Sequence, residues 1–138
     1  MSYLLDTNAC ICILNGTTPA LVVRMRSEDP ASIKLSSVVR AELLFGARKS
    51  SRVEQNLALL SRFFAPFESL PFDDRAAEHY GLIRAELERE GRLIGPNDLL
   101  IAATARAHDA TLVTRKTKEF ARVVALRVEN WEGEEQVP

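Results

Sequence analysis

Four acidic side chains stand where this sequence has the means to do chemistry. Asp6 follows a short apolar run, Glu42 lies inside a helical segment, Asp98 falls in the first turn of an alanine-rich helix, and Glu119 closes a basic stretch. His79 and His108 fall in predicted helices away from these acids, where contacts with solvent, helix ends or polar neighbours suit them better than general-base work. Ser36 and Ser37 have no aligned base, so a serine nucleophile is a poor fit. Carboxylates gathered in one place repel one another when ionised, and Mg²⁺ or Mn²⁺, which take oxygen ligands, best offsets that repulsion. The chemistry indicated is therefore activation of water by a divalent metal.

Each acid taken singly has a structural alternative. Asp6 can accept from backbone amides in the turn that follows it. Glu42 comes four residues after Val38 and three before Phe45, which places it beside a face expected to touch protein. A carboxylate there needs a cation or hydrogen-bond donors, and Arg40, two residues away, points elsewhere on a helix. Asp98 can cap its helix, and the apolar Leu99-Leu100-Ile101-Ala102-Ala103 that follows suits close packing on a sheet.

The case for one shared site rests on the elements that carry these residues. Tyr3-Leu4-Leu5 reads as a buried strand, followed by a short helix containing Ile11, Ile13 and Leu14 that Asn15-Gly16 ends. A second helix is expected from Pro19 to Arg26 and a second strand at Ile33-Lys34-Leu35. Helices then run from Val38 to Lys49 and from Ser51 to Phe64, the latter with Leu57, Leu60 and Phe64 on one stripe, before a brief strand at Phe67–Leu70. From Asp73 or Asp74 to Gly91, Ala77, Tyr80, Ile83, Ala85 and Leu87 alternate with a charged face. After a loop from Gly91 to Gly95, Pro96-Asn97 opens a helix ending near His108. Thr111-Leu112-Val113 gives a fourth strand, Glu119-Phe120 a short helical piece, and Leu126-Arg127-Val128 a fifth strand. Strands alternating with helices predict an α/β three-layer sandwich with a mostly parallel sheet and right-handed crossovers. Such sheets bind ligands beyond the carboxyl ends of their strands, and this connectivity sends Asp6, Asp98 and the segment carrying Glu119 to that edge.

Composition sets the remaining limits. The 138 residues fit one domain, spanning 1–138, and 46% hydrophobic with 27% charged residues is an ordinary globular balance. No apolar run approaches the roughly 18 residues of a membrane span, and Asp6 interrupts the N-terminal apolar segment too early for a signal peptide, so a cytoplasmic protein with no membrane partner is expected. Cys10 and Cys12 have no distant partners, which argues against a disulfide framework or a zinc site. The net charge of −1 conceals an asymmetry, since residues 1–128 carry 18 basic and 15 acidic side chains whereas the acidic tail at 129–138 carries four acids and no base. That balance permits RNA binding through local patches. Arg24, Arg26, Arg48, Lys49, Arg52, Arg115, Lys116 and Lys118 are candidate phosphate contacts, with solvated surface charge as the alternative for each. Tyr3, Phe63, Phe64 and Phe67 form no evident base-stacking stripe.

Leu4-Leu5-Asp6-Thr7-Asn8, the segment SSVVRAELLFG from Ser36 to Gly46, Ile94-Gly95-Pro96-Asn97-Asp98 with the apolar run to Ala103, and Leu112-Val113-Thr114 together closely resemble the PIN-domain VapC toxins, especially the branch of transfer-RNA-specific endonucleases. The resemblance extends through Phe72-Asp73, Ala76-Ala77 and Tyr80-Gly81 to Val128-Glu129-Asn130-Trp131. It implies a PIN-like fold, RNA cleavage dependent on Mg²⁺ or Mn²⁺, a dimeric toxin, and a cognate VapB-like antitoxin that blocks the nuclease in a hetero-oligomer. The family's first three acids carry over to Asp6, Glu42 and Asp98, and its final acidic region to Glu119. Family members often place Asn or Asp where this chain has Lys116, a departure that leaves Lys116 to meet phosphate or an acidic neighbour. The branch includes enzymes that cut initiator transfer RNA in the anticodon loop, which makes that RNA the first substrate to test. Thr7, Asn8, Ser36 and Asn97 are candidate supports that orient carboxylates or water, each with a turn or cap role as the alternative. A structure-specific DNA nuclease would share the same metal chemistry, and an interaction domain that binds metal weakly because of Lys116 is a third reading.

Overall fold

A computed structural model describes residues 1–133. Its sheet contains β1 (Tyr3–Leu5), β2 (Ile33–Ser36), β3 (Glu68–Leu70), β4 (Thr111–Val113) and β5 (Val128–Glu129), in the order β3-β2-β1-β4-β5. All four pairings are parallel, with Tyr3 opposite both Ile33 and Thr111, and Leu5 opposite Val113. A parallel strand covered on both faces must be apolar throughout, and Leu4, Leu5 and Leu112 are fully buried. The expected α/β architecture with a parallel sheet is the one found.

Seven helices connect the described strands: α1 (Thr7–Asn15), α2 (Pro19–Ser27), α3 (Ser37–Lys49), α4 (Val53–Phe64), α5 (Asp74–Arg89), α6 (Pro96–Ala107) and α7 (Thr117–Phe120). Local chemistry sets their ends. Asp6, Ser36 and Asp73 cap α1, α3 and α5 by accepting from the amides of Ala9, Val39 and Ala76. Gly16 closes α1 at φ 65°, a left-handed conformation that costs glycine little, and donates to the carbonyls of Cys12 and Ile13. None of the described helices is long and apolar enough to cross a membrane.

Three sequence expectations shift. The last strand forms at Val128–Glu129 instead of Leu126–Val128, because Leu112 pairs with Val128, and Arg127 and Glu129 supply the carbonyls that accept from Leu112 and Thr114. Glu129, counted with the acidic tail, is thus part of the sheet and pairs with Arg24 at 3.5 Å, while residues 134–138 of that tail lie outside the described residues. On α5 the buried stripe is Ala76, Ile83 and Leu87 with Tyr80 half-buried, a spacing of four, three and four, and Ala77 and Ala85 face solvent. On α3 the core stripe is Val39, Leu43 and Ala47, whereas Phe45 is 67% exposed. The Phe45 side of Glu42 is therefore not core but opens on a hollow that Asn97 and Leu100 of α6 also line, and Glu42 flanks the core stripe with its carboxylate bonded to Thr7 of α1.

Candidate active site

The chain order reverses at β1, which has β2 on one side and β4 on the other. This is the switch point where a doubly wound sheet opens a crevice beyond its carboxyl ends. Asp6 occupies that position, one residue after β1, with its N–H donating to the Val113 carbonyl at 3.1 Å. Thr114 is its counterpart after β4, because Leu5 pairs with Val113 in parallel register. α3 begins just after β2 and brings Glu42 to the crevice one and a half turns later, while α6 runs back toward the sheet and presents Asp98 from its first turn.

A cavity of about 250 Å³ is lined by Asp6, Thr7, Asn8, Ile11, Glu42, Asp98 and Lys116. Three of the four expected acids therefore share one space. Asp6 is only 3% exposed, and its Oδ1 accepts from the Ala9 amide at 2.8 Å. Burial pushes its carboxyl above the ordinary carboxylate value and the Asp98 charge adds to that, while the Thr114 hydroxyl, the Ala9 amide and the Lys116 ammonium pull it down. Asp6 thus caps α1 and also faces the cavity, so its two roles coexist.

Glu42 is half-buried and accepts at Oε1 from the Thr7 hydroxyl at 3.0 Å, an orienting bond from the residue after Asp6. Arg40 is not its partner: its guanidinium donates to the Phe67 carbonyl at 3.2 Å and lies 4.5 Å from the Phe64 ring centre. Asp98 is not consumed as a cap, since α6 starts at Gly95 with no side-chain cap bond. Its Oδ2 instead accepts from Lys116 Nζ at 3.2 Å.

The other expected residues divide. Glu119 lines a separate polar cavity of about 560 Å³ with Arg115, Lys118, Thr18 and Asn130, so the structure does not bring it among the first three acids. The α7 turn directs Lys116 toward Asp98 and leaves Arg115 and Lys118 with Glu119. Ser36 is fully buried and caps α3, its Oγ accepting from Val39 at 3.0 Å. Asn97 borders a third hollow with Ser37, Val38 and Phe45, reaching Glu42 from the far side. Arg24 is held by Glu28, Glu129 and the Trp131 ring, away from the acids. Neither histidine lines the acid cavity: Arg106 donates to His79 Nδ1 at 2.8 Å, and His108 lies 3.4 Å from Asp73. Sequence reasoning had no role for Thr114, which is 2% exposed beside Asp6 and whose hydroxyl also accepts from the Lys116 amide at 3.0 Å. The signal was its place directly after a strand paired in register with the one preceding Asp6.

The donors in the cavity are carboxylate, amide and hydroxyl oxygens with no thiolate or imidazole among them, a set suited to a hard divalent cation. Cys10 lies fully buried near Asp6, and burial pushes its thiol far above the ordinary range. Among the described residues no three acidic, imidazole or thiol groups are already drawn around a single point, and Lys116 stands among the acids instead.

The PIN domain family pattern matches residues 3–126. A tRNA(fMet)-specific endonuclease VapC from Shigella flexneri is 42% identical over 131 residues, covering 95% of this chain and 98% of its own. This chain belongs to the PIN-domain VapC family. Another VapC relative, Ribonuclease VapC2 from Rickettsia felis, is 41% identical across 96% of this chain and 99% of its own. Among solved VapC structures, VapBC2 from Rickettsia felis bound to a DNA fragment from their promoter superposes with a TM-score of 0.87 at 40% identity, covering 95% of this chain and 99% of that one. DNA-bound VapBC from Salmonella typhimurium gives 0.89 at 37% identity, with 95% and 98% covered.

Proposed function

We propose that this chain is the toxin of a toxin–antitoxin pair, an endoribonuclease that uses Mg²⁺ or Mn²⁺ to cleave transfer RNA by hydrolysis. The observation that carries the reading is the meeting of Asp6, Glu42 and Asp98, from three separate elements, in one cavity at the sheet's switch point. A divalent ion bound there would supply Lewis-acid activation of water and charge compensation at the phosphate, the chemistry that hydrolysis to 5′-phosphate and 3′-hydroxyl ends requires. Asp6, Glu42 and Asp98 are the residues that would hold it. Thr7 fixes the rotamer of Glu42, and Thr114 and the Ala9 amide fix Asp6, so these carboxylates are oriented before a ligand arrives.

Arg115 and Lys118, flanking the polar cavity that holds Glu119, suit the RNA backbone on one side of the cleaved bond. Glu119 acts there indirectly, by setting the field around those basic groups. An apolar groove lined by Ile11, Leu14, Leu43, Leu59 and Leu60 shares Ile11 and Glu42 with the acid cavity, and a VapB-like antitoxin segment lying in it would cover the active site. The toxin acts in the cytoplasm as a homodimer and pairs there with its antitoxin. Protein freed of antitoxin should cut end-labelled transfer RNA internally in Mg²⁺, stop in chelator, and leave single-stranded DNA of matched sequence intact. Absence of any metal-dependent RNA product overturns the reading, and equal cutting of the DNA replaces it with a general nuclease.

A further inference from the structure

The acid cavity contains a positive charge of the chain's own. Lys116 Nζ lies 3.2 Å from Asp98 Oδ2 inside the space that Asp6 and Glu42 also line. The backbone that carries this ammonium is anchored. Its N–H donates to the Thr114 hydroxyl at 3.0 Å and its carbonyl accepts from Phe120 at 3.2 Å, so both ends of the residue's peptide frame are tied at the end of β4. Thr114 and Phe120 are themselves buried. A half-exposed lysine pair adds little to stability, but a unit positive charge beside the half-buried Asp98 carboxylate strongly affects what else can bind there.

Three carboxylates and one ammonium give the substrate-free cavity a net charge of −2, which one divalent ion neutralises. A second ion would overcharge it and would have to displace Lys116 from Asp98. We propose that Lys116 takes the place of a second metal ion, so that this cavity binds a single divalent cation and Lys116 remains paired with Asp98. This deepens the nuclease reading, on which it rests, by fixing the metal stoichiometry and giving the residue that departs from the family pattern a positioning role.

The test is calorimetric titration of RNA-free, antitoxin-free protein with Mn²⁺, comparing the parent with K116M, K116N and K116R. Thermal unfolding confirms that each variant folds. The parent and K116R should bind one ion per chain, since arginine preserves the charge. K116M and K116N should bind a second ion, with the first tightened by about tenfold, the scale of one unit charge at a partly shielded site. Two ions in the parent, or the same stoichiometry and affinity in all four proteins, overturns the proposal while leaving the metal-dependent nuclease standing. Metal uptake by K116M but none by the parent also overturns it, since Lys116 would then exclude metal altogether. No uptake by any of the four removes the metal-dependent reading together with it.

Discussion

Asp6 is asked to do two things that oppose one another, and separating them gives a quantitative prediction. It caps α1 through the Ala9 amide at 2.8 Å, which stabilises the fold. It also holds a 3% exposed carboxylate near Asp98, which costs stability when no metal is bound. D6N keeps an oxygen for the cap and removes the charge, whereas D6A removes both. Loss of the cap in D6A should cost about 1 kcal/mol, and removal of the buried charge should return a comparable amount in both variants. D6N is therefore expected to exceed the metal-free parent by about 1 kcal/mol and D6A to fall near it, a separation worth roughly 3–4 °C in Tm for a domain of this size. The assay is thermal unfolding at neutral pH in chelator, repeated in Mg²⁺. Metal should stabilise the parent by about 2.7 kcal/mol at a hundredfold excess over Kd, raising its Tm, and should do little for D6N. A D6N protein no more stable than D6A in chelator would refute the opposition of cap and charge.

Further outcomes follow from the same geometry. Because burial raises the Asp6 carboxyl in the folded state, its penalty is present at neutral pH and is relieved as pH falls through that raised value toward 3.8; chelated parent should close its stability gap to D6N over that window in pH-dependent unfolding. D98N should abolish RNA cleavage while circular dichroism and Tm stay near the parent, since Asp98 caps nothing, and E119Q should lose much less because Glu119 faces the other cavity; the reverse ranking in a cleavage assay at several Mg²⁺ concentrations would reassign the ligands. T7V, which deletes the donor to Glu42, should lower cleavage by about 10–100-fold with stability changed by less than about 0.5 kcal/mol, and T7S should recover most of it. W131A should cost about 3 kcal/mol in denaturant unfolding, because Trp131 is 4% exposed, packs edge-on to Tyr3 at 5.0 Å and lies under Arg24.

The linear pattern of this chain carried the fold class and singled out three acids that the structure places along one cavity. Short strands with continuous apolar character, separated by capped helices, admit few arrangements other than a covered parallel sheet, and that arrangement alone sends Asp6 and the start of α6 to one edge. Local periodicity was less informative where small residues blur a face. Ala77 and Ala85 read as apolar positions of α5, yet Ala76 is the buried one, because the packing partner and not the residue type sets the helix's rotation. Phe45 is as hydrophobic as any core residue and still faces outward, since the stripe that meets the sheet is set by Val39, Leu43 and Ala47. Tertiary structure alone decided how the charges pair. Nothing in the spacing of Thr7 and Glu42, or of Asp98 and Lys116, says that each pair touches, and the short α7 turn that sends Lys116 to the acids and Glu119 away from them has no periodic signature. Hydrophobic pattern repeats along the chain and can be read from it, but a hydrogen bond between residues 35 positions apart exists only once the sheet has brought their elements together.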